Sequence, residues 1–351
     1  MSAPTPVDFG RRQCVVRVGG LSARASWRAI LVVAGLLVVA VVVAVLAIGG
    51  GTYTVAPGDV LGVLLGTNTS FDRVVVMEWR MPRMLMALLI GAALGVSGAI
   101  FQALTRNALG SPDIIGINSG AYTGALVVIA GVGGGYYAVA AGALAGGLIA
   151  SVVVYALSYR NGIAGFRLIV VGIAVGAVLN SVNQWVVIKL DVHTAVTAAI
   201  WQQGTLNGLS WAQVLPMTVC LGVATVLLLA MGPLLPVLQL GDDAAGALGV
   251  HPDRARLGYL VIGVGLVALA CAAAGPITFV ALAAPQIARR LTASPGVGLV
   301  PSAAMGAVLL LVSDLLAQRL FGGSELPVGA VTVSLGGMYL VYLLISQSRK
   351  R

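Results

Sequence analysis

Apolar runs of about 20 residues alternate along this chain with short polar breaks, and most arginines fall in the breaks. A helix of that length spans the hydrocarbon core of a bilayer. The clearest runs are 30–48, 84–104, 114–130, 137–157, 168–187, 214–234, 257–273, 277–289, 300–317 and 328–346. They predict an all-α integral membrane protein with about ten transmembrane helices. Two runs stand apart. The one after Gly275-Pro276 is short, and the one beginning near Ile114 is glycine-rich and open to a break.

The polar breaks orient the chain. With ten spans and the N-terminus inside, Arg11, Arg12, Arg17, Arg24, Arg28, Arg106, Arg160, Arg167, Arg254, Arg256, Arg289, Arg290, Arg349, Lys350 and Arg351 fall on the cytoplasmic side, 15 of the 20 basic residues. Arg73, Arg80, Arg83, Lys189 and Arg319 fall outside. The positive-inside rule then places both termini in the cytoplasm. The net charge of +9 is therefore read as topology, and nucleic acid is not expected as a partner. Residues 1–28 read as a basic, mobile cytoplasmic arm, too long and polar for a signal peptide. The membrane-spanning body is residues 29–351.

Between the spans, Pro57-Gly58-Asp59 and the apolar residues after it predict a short helix on the outer membrane surface. Trp201 and Trp211 bracket a polar outer loop as interfacial anchors. The loop 239–256 separates the chain into two parts of roughly five spans each, with six runs before it and four after, and a repeat of five, being odd, would turn the second set upside down relative to the first. Glycines recur at four-residue spacing: Gly91 and Gly95; Gly116, Gly120 and Gly124; Gly142 and Gly146; Gly172 and Gly176. Such small-residue faces let helices approach closely in lipid, and the alternative is that some line a pathway.

Much chemistry is missing. A P-loop needs a lysine directly after a glycine, and neither Lys189 nor Lys350 follows one, so no ATPase activity is expected. Cys14, Cys220 and Cys271 are far apart, and His193 and His251 are the only histidines, so neither a metal site nor a bound cofactor is expected. The span centres hold almost no acids, with Asp314 the nearest candidate, whereas ion-coupled carriers keep such a group despite its cost. The energy for transport is expected from another subunit.

Three segments carry the strongest signal. The first runs from Glu78-Trp79-Arg80-Met81-Pro82-Arg83 through a glycine-rich span to Arg106-Asn107-Ala108-Leu109-Gly110-Ser111-Pro112; the second is Gly241-Asp242-Asp243-Ala244-Ala245-Gly246-Ala247-Leu248-Gly249-Val250. The third starts at Gly275-Pro276-Ile277-Thr278-Phe279 and ends at Pro285-Gln286-Ile287-Ala288-Arg289-Arg290, with Glu325-Leu326-Pro327 beyond it. In this order, from about residue 55 to the C-terminus, the chain resembles the permease subunits of ABC importers for iron-siderophores and vitamin B12. Glu78-Trp79-Arg80, Gly110-Ser111-Pro112-Asp113 and the run from Val331 to Tyr339 resemble most the members that carry catecholate chelates such as ferric enterobactin. The chain departs from the family at Ala108 (usually Pro), Gln286 (usually His) and Gln318 (often Arg, with Arg319 next to it here).

The resemblance implies a type II ABC importer permease in a bacterial cytoplasmic membrane. Its partners would be a second permease, identical or not, two ATP-binding subunits and an extracytoplasmic siderophore-binding protein. It implies docking of that protein at Arg80, with Arg83 and Arg319 as further candidates; on the residues alone, Arg80 and Arg83 are equally well read as helix-end anchors to lipid phosphates. It also implies that Gly241, Asp242, Asp243, Ala245, Gly246, Leu248 and Gly249 form the helix that couples to the ATPase, where pattern alone gives a capped connector. Asn180, Asn183 and Gln184, at i, i+3 and i+4, are either buried amides between helices or a hydrophilic pathway lining. The alternatives are a haem or cobalamin permease of the same family, or a self-sufficient secondary transporter.

Overall fold

The computed structural model describes residues 13–18, 21–51, 53–67, 70–131, 134–159, 165–232, 234–320 and 326–348. Arg11, Arg12, Arg160, Glu325, Arg349, Lys350 and Arg351, all used above, lie outside them. The expected mobile arm contains an antiparallel hairpin instead: β1 (Gln13–Val18) pairs with β2 (Leu21–Ser26), Gln13 opposite Ser26 and Val18 opposite Leu21. Valines at positions 15, 16 and 18 and the Gly19-Gly20 dipeptide between the strands are the sequence signal for it.

The other regular elements among the described residues are helical. Ser26 caps α1 (Trp27–Gly49) by accepting from the Ala29 N–H, and the predicted surface helix is α2 (Pro57–Leu64), with Pro at its first turn. A continuous helix follows, made of α3 (Phe71–Arg73), a π-helical segment over Val74–Arg80, and α4 (Met81–Thr105). Then come a 3₁₀ turn (Pro112–Ile115), α5 (Ile117–Gly131), α6 (Tyr136–Ser158), α7 (Gly165–Lys189), α8 (Val192–Gln202) and α9 (Trp211–Met231). The last are α10 (Leu234–Gln239), α11 (Asp242–Ala247), α12 (Pro252–Ala274), α13 (Val280–Thr292), α14 (Leu299–Arg319) and α15 (Val328–Ser348). Among the described residues seven helices are long and apolar enough to cross a membrane: α1, the continuous Phe71–Thr105 helix, α6, α7, α9, α12 and α14.

Helix α4 is the axis of the packing, and glycine is what lets its neighbours in. A Cβ on Gly91 would lie 2.4 Å from the Gly306 carbonyl oxygen, and one on Gly95 2.2 Å from that of Ser302, so α4 and α14 touch backbone to backbone. Helices α5 and α6 meet the same way, Gly124 against Gly142 and Gly146 against Gly120. Lipid offers no hydrophobic drive for helices to associate, so close van der Waals contact at these faces holds the bundle. A leucine at Gly95 would force α4 and α14 apart.

The two runs that stood apart in the sequence are the two short helices. At 1.5 Å per residue α5 is ~22 Å long and α13 ~20 Å, against ~35 Å for α12. They are the third and the eighth of the ten apolar runs. Helix α13 starts after Phe279, a non-glycine residue at φ 69°, and carries Arg289 and Arg290 in its last turn; its length falls short of the ~30 Å hydrocarbon core.

Candidate functional site

Polar side chains gather in three places. At the end of the bundle that carries α2, two arginines serve one helix terminus. Arg80 donates to the carbonyls of Ile48 and Tyr53, and Arg319 donates to that of Leu46 at 2.7 Å. These carbonyls belong to the last turn of α1 and the segment after it, where helical donors run out; that of Leu46 also accepts from the Gly50 N–H at 3.1 Å. Gly50 and Gly51 leave room for the two guanidinium groups, since a Cβ on Gly50 would collide with that of Arg319. Carbonyls satisfy the N–H groups without cancelling the charge. Arg80 sits at the close of the π-helical segment, a feature that often re-aims side chains at functional positions. Beside it Tyr53, Phe71 and Trp79 form an exposed chain of edge-on rings, with centroids 5.8 and 5.9 Å apart. The Tyr53 hydroxyl donates to Asp72 at 2.8 Å, which raises its pKa above the usual tyrosine value.

Arg83 is turned the other way. Its guanidinium meets Asp314 at 2.9 Å, with only 15% of its side chain exposed and 2% of Asp314. Gln318 adds a second donor to that carboxylate at 2.7 Å. This is a buried pair joining α4 to α14, so Arg83 does not present a docking charge. It also gives Asp314 a structural use.

The second place was missed in the sequence. Asp113, in the 3₁₀ turn before α5, accepts from Asn118 Nδ2 at 2.9 Å, from Ser111 Oγ at 3.1 Å and from the Phe279 N–H at 3.3 Å. Asn118 Oδ1 in turn faces Cys271 Sγ of α12 at 3.1 Å. Asp113 therefore joins the N-termini of both short helices, whose positive dipole ends favour a carboxylate. Asp113 lies in a turn between helices, so the expectation that the span centres hold almost no acids is unaffected by it. In sequence Asp113 follows Ser-Pro and looks like an ordinary turn residue; the one available signal was that both apolar runs flanking the joint are short.

The third place is the segment around α11. Gly241 (φ 116°) turns the chain into it, and Ala245 anchors it, fully buried. Asp242 takes Arg256 on both carboxylate oxygens (2.9 Å at Oδ2) and Arg106 at 3.0 Å. Arg256, more than the desolvation that opposes it, holds the Asp242 carboxyl below the usual carboxylate range. The clamp leaves Asp243, Gly246, Leu248 and Gly249 exposed, and a Cβ on Gly246 would meet open space.

The three amides of α7 do not form one patch. Asn183 is buried, with Nδ2 3.4 Å from the Ser119 carbonyl and Oδ1 unpaired, whereas Asn180 and Gln184 are exposed on the other side. A helix turns 100° per residue, so i and i+3 flank a boundary that a buried stripe of Leu168, Gly172, Gly176 and Asn183 defines here. The opposite face is exposed and apolar, with Ile173, Val178, Trp185 and Ile188 more than half open.

Comparison with known proteins agrees along nearly the whole chain. The FecCD transport family matches residues 36–346. The ferric enterobactin transport system permease protein FepG of Escherichia coli (strain K12) is 48% identical over 328 residues, 92% of this chain and 98% of its own. The iron(3+)-hydroxamate import system permease protein FhuG of Bacillus subtilis (strain 168) is 35% identical, covering 90% of this chain and 97% of its own, and the hemin transport system permease protein HmuU of Yersinia pestis is 33% identical, covering 81% and 88%. A metal-chelate type ABC transporter solved in an inward-facing conformation superposes with a TM-score of 0.80 at 25% identity, covering 90% of this chain and 99% of the other.

Proposed function

The chain belongs to the FecCD transport family, and from that premise we propose that it is a permease subunit of an ABC importer for ferric siderophores of the catecholate, enterobactin-like class. The observation that carries this reading is the end-to-end likeness to a ferric enterobactin permease. The importer has about ten spans in this chain: the seven long helices together with α15 and the shorter α5 and α13. It lies in a bacterial cytoplasmic membrane with both termini inside, which makes the α11 end cytoplasmic and the α2 end external.

Each polar region then has a task. At the α2 end, the uncancelled charges of Arg80 and Arg319 and the aromatic chain through Trp79 suit a binding protein that offers carboxylates. Arginine and aromatic side chains dominate the energetics of such contacts. At the α11 end, the exposed small-residue face of Asp243, Gly246 and Leu248 seats on one of two ATP-binding subunits. The exposed face of α7, with Asn180 and Gln184 among apolar residues, meets a second permease and lines a neutral pathway for a bulky chelate. ATP binding shifts α11, and the change of access follows as two packed arrangements exchange.

The test is iron uptake in cells lacking their own catecholate permease, with each chelate class supplied in turn. Ferric enterobactin should support uptake, while ferric hydroxamate and hemin should neither support it nor compete. Uptake of hemin or hydroxamate iron without enterobactin iron would overturn the assignment.

A further inference from the structure

We propose that the α11 end contains a binding site for a phosphate-class oxyanion, in a cavity between α4, α10, α13 and the turn after α13. The cavity has a volume of about 220 Å³. A single water needs only ~10–15 Å³ of such space, so a phosphate group with attendant waters fits.

The lining decides the chemistry. Its polar side chains are Gln102, Arg106, Asn107, Gln239, Gln286 and Arg289, two guanidinium groups and four amides with no carboxylate. Gln102 and Gln286 are more than nine-tenths buried. Gln286 donates to Gln102 Oε1, and Gln102 donates to the Leu282 carbonyl at 3.0 Å, which uses one N–H of each amide and leaves the other. Arg106 ends α4 in the left-handed region (φ 50°), and its bonds to Leu238 O and Asp242 both come from one terminal nitrogen. Arg289 likewise spends one terminal nitrogen on the Pro295 carbonyl at 2.9 Å. Asp242 is shared between Arg106 and Arg256, so with Arg289 there are three guanidinium groups to one carboxylate and the cavity keeps a positive balance. Donors in excess, uncancelled charge and two buried amides describe a receptor for an oxyanion, with the planar guanidinium groups suited to bidentate contact. The same chemistry is offered by free phosphate and by a phospholipid headgroup.

The experiment measures thermal unfolding of the full chain in phosphatidylcholine nanodiscs, with inorganic phosphate added at constant ionic strength, and again in nanodiscs containing phosphatidic acid. Arg289→Gln removes one guanidinium. Asn107→Asp keeps an acceptor for the Leu109 N–H, which Asn107 Oδ1 now receives at 2.9 Å, and adds a negative charge at the rim, so it should fold. Phosphate should raise the unfolding temperature of the wild type, and each variant should need at least about tenfold more phosphate for the same rise, the loss of one charge-assisted bond. Protection by phosphatidic acid alone, lost in both variants, would assign the site to a lipid headgroup. Protection by neither, or protection unchanged in Asn107→Asp, would overturn the proposal. None of these readouts depends on which chelate is carried.

Discussion

The two ends of the bundle use arginine in opposite ways. At the α2 end Arg80 and Arg319 bond to backbone carbonyls, which fixes the guanidinium groups and leaves their charge standing. At the α11 end Arg106 and Arg256 meet the Asp242 carboxylate, which spends one of their two charges inside the chain. A carbonyl acceptor orients without neutralising, and a carboxylate does both. On the proposed reading, the α2 end is held ready for an acidic partner. The α11 end is held as a shape, with its small-residue face outward.

The largest effect is expected where arginine is neutralised out of water. Arg83→Leu leaves Asp314 buried without its counter-charge, at a cost of about 3–5 kcal/mol. The variant should give little folded protein in membranes, and Arg83→Leu with Asp314→Leu should recover most of it, as measured by thermal unfolding. A single variant as stable as the wild type would show that the pair is solvated.

Next comes the α11 face. Gly246→Trp has room in this chain, so membrane insertion and folding should survive while the ATP-binding subunit no longer co-purifies and uptake drops to background. Normal co-purification with normal uptake would remove α11 from the contact.

The α2 end should respond by charge. Arg80→Glu loses an attraction and gains a repulsion, several kcal/mol for a buried contact and about 1 kcal/mol at a solvated rim. Affinity for the binding protein should fall, most at low salt, and an acidic-to-basic change on that protein should restore part of it. The same substitution also frees the Ile48 and Tyr53 carbonyls, so Arg80→Gln serves as the neutral reference. Equal affinity for both variants at low salt would reduce Arg80 to a helix cap.

The smallest effect belongs to the Asp242 clamp. Its carboxyl titrates below the ordinary range, so its contribution is complete above the unfolded value of ~3.9 and is lost as pH falls through the lower folded value. Between pH 5 and 8 stability should be insensitive to this group. Asp242 is about half exposed, so Asp242→Asn should cost under about 1 kcal/mol. A steep change in unfolding temperature between pH 5 and 8 that Asp242→Asn abolishes would contradict this.

Helix positions were legible because apolar length is written in the chain, and each long run became a helix. The four-residue glycine spacing also translated directly into the α4–α14 and α5–α6 contacts. Partners of polar groups were not legible. Arg80 and Arg83 are three residues apart with the same sequence character, yet one faces carbonyls and the other a carboxylate 231 positions away. Asp113 was hidden because depth is not encoded in a turn: its place follows from two short helices ending together, which only their three-dimensional pairing reveals. The amides of α7 were split by a glycine stripe whose partner, α5, lies elsewhere in sequence. The hairpin at the start was overlooked because its arginines dominated the reading.

The central claim is that energy enters at α11 from a separate ATP-binding subunit. It is tested most directly in proteoliposomes holding this chain and its sister permease, loaded with ATP and supplied outside with binding protein and ferric enterobactin. Iron should accumulate only when the ATP-binding subunit is included, and not at all when it is omitted. Accumulation at an undiminished rate in its absence would contradict the account.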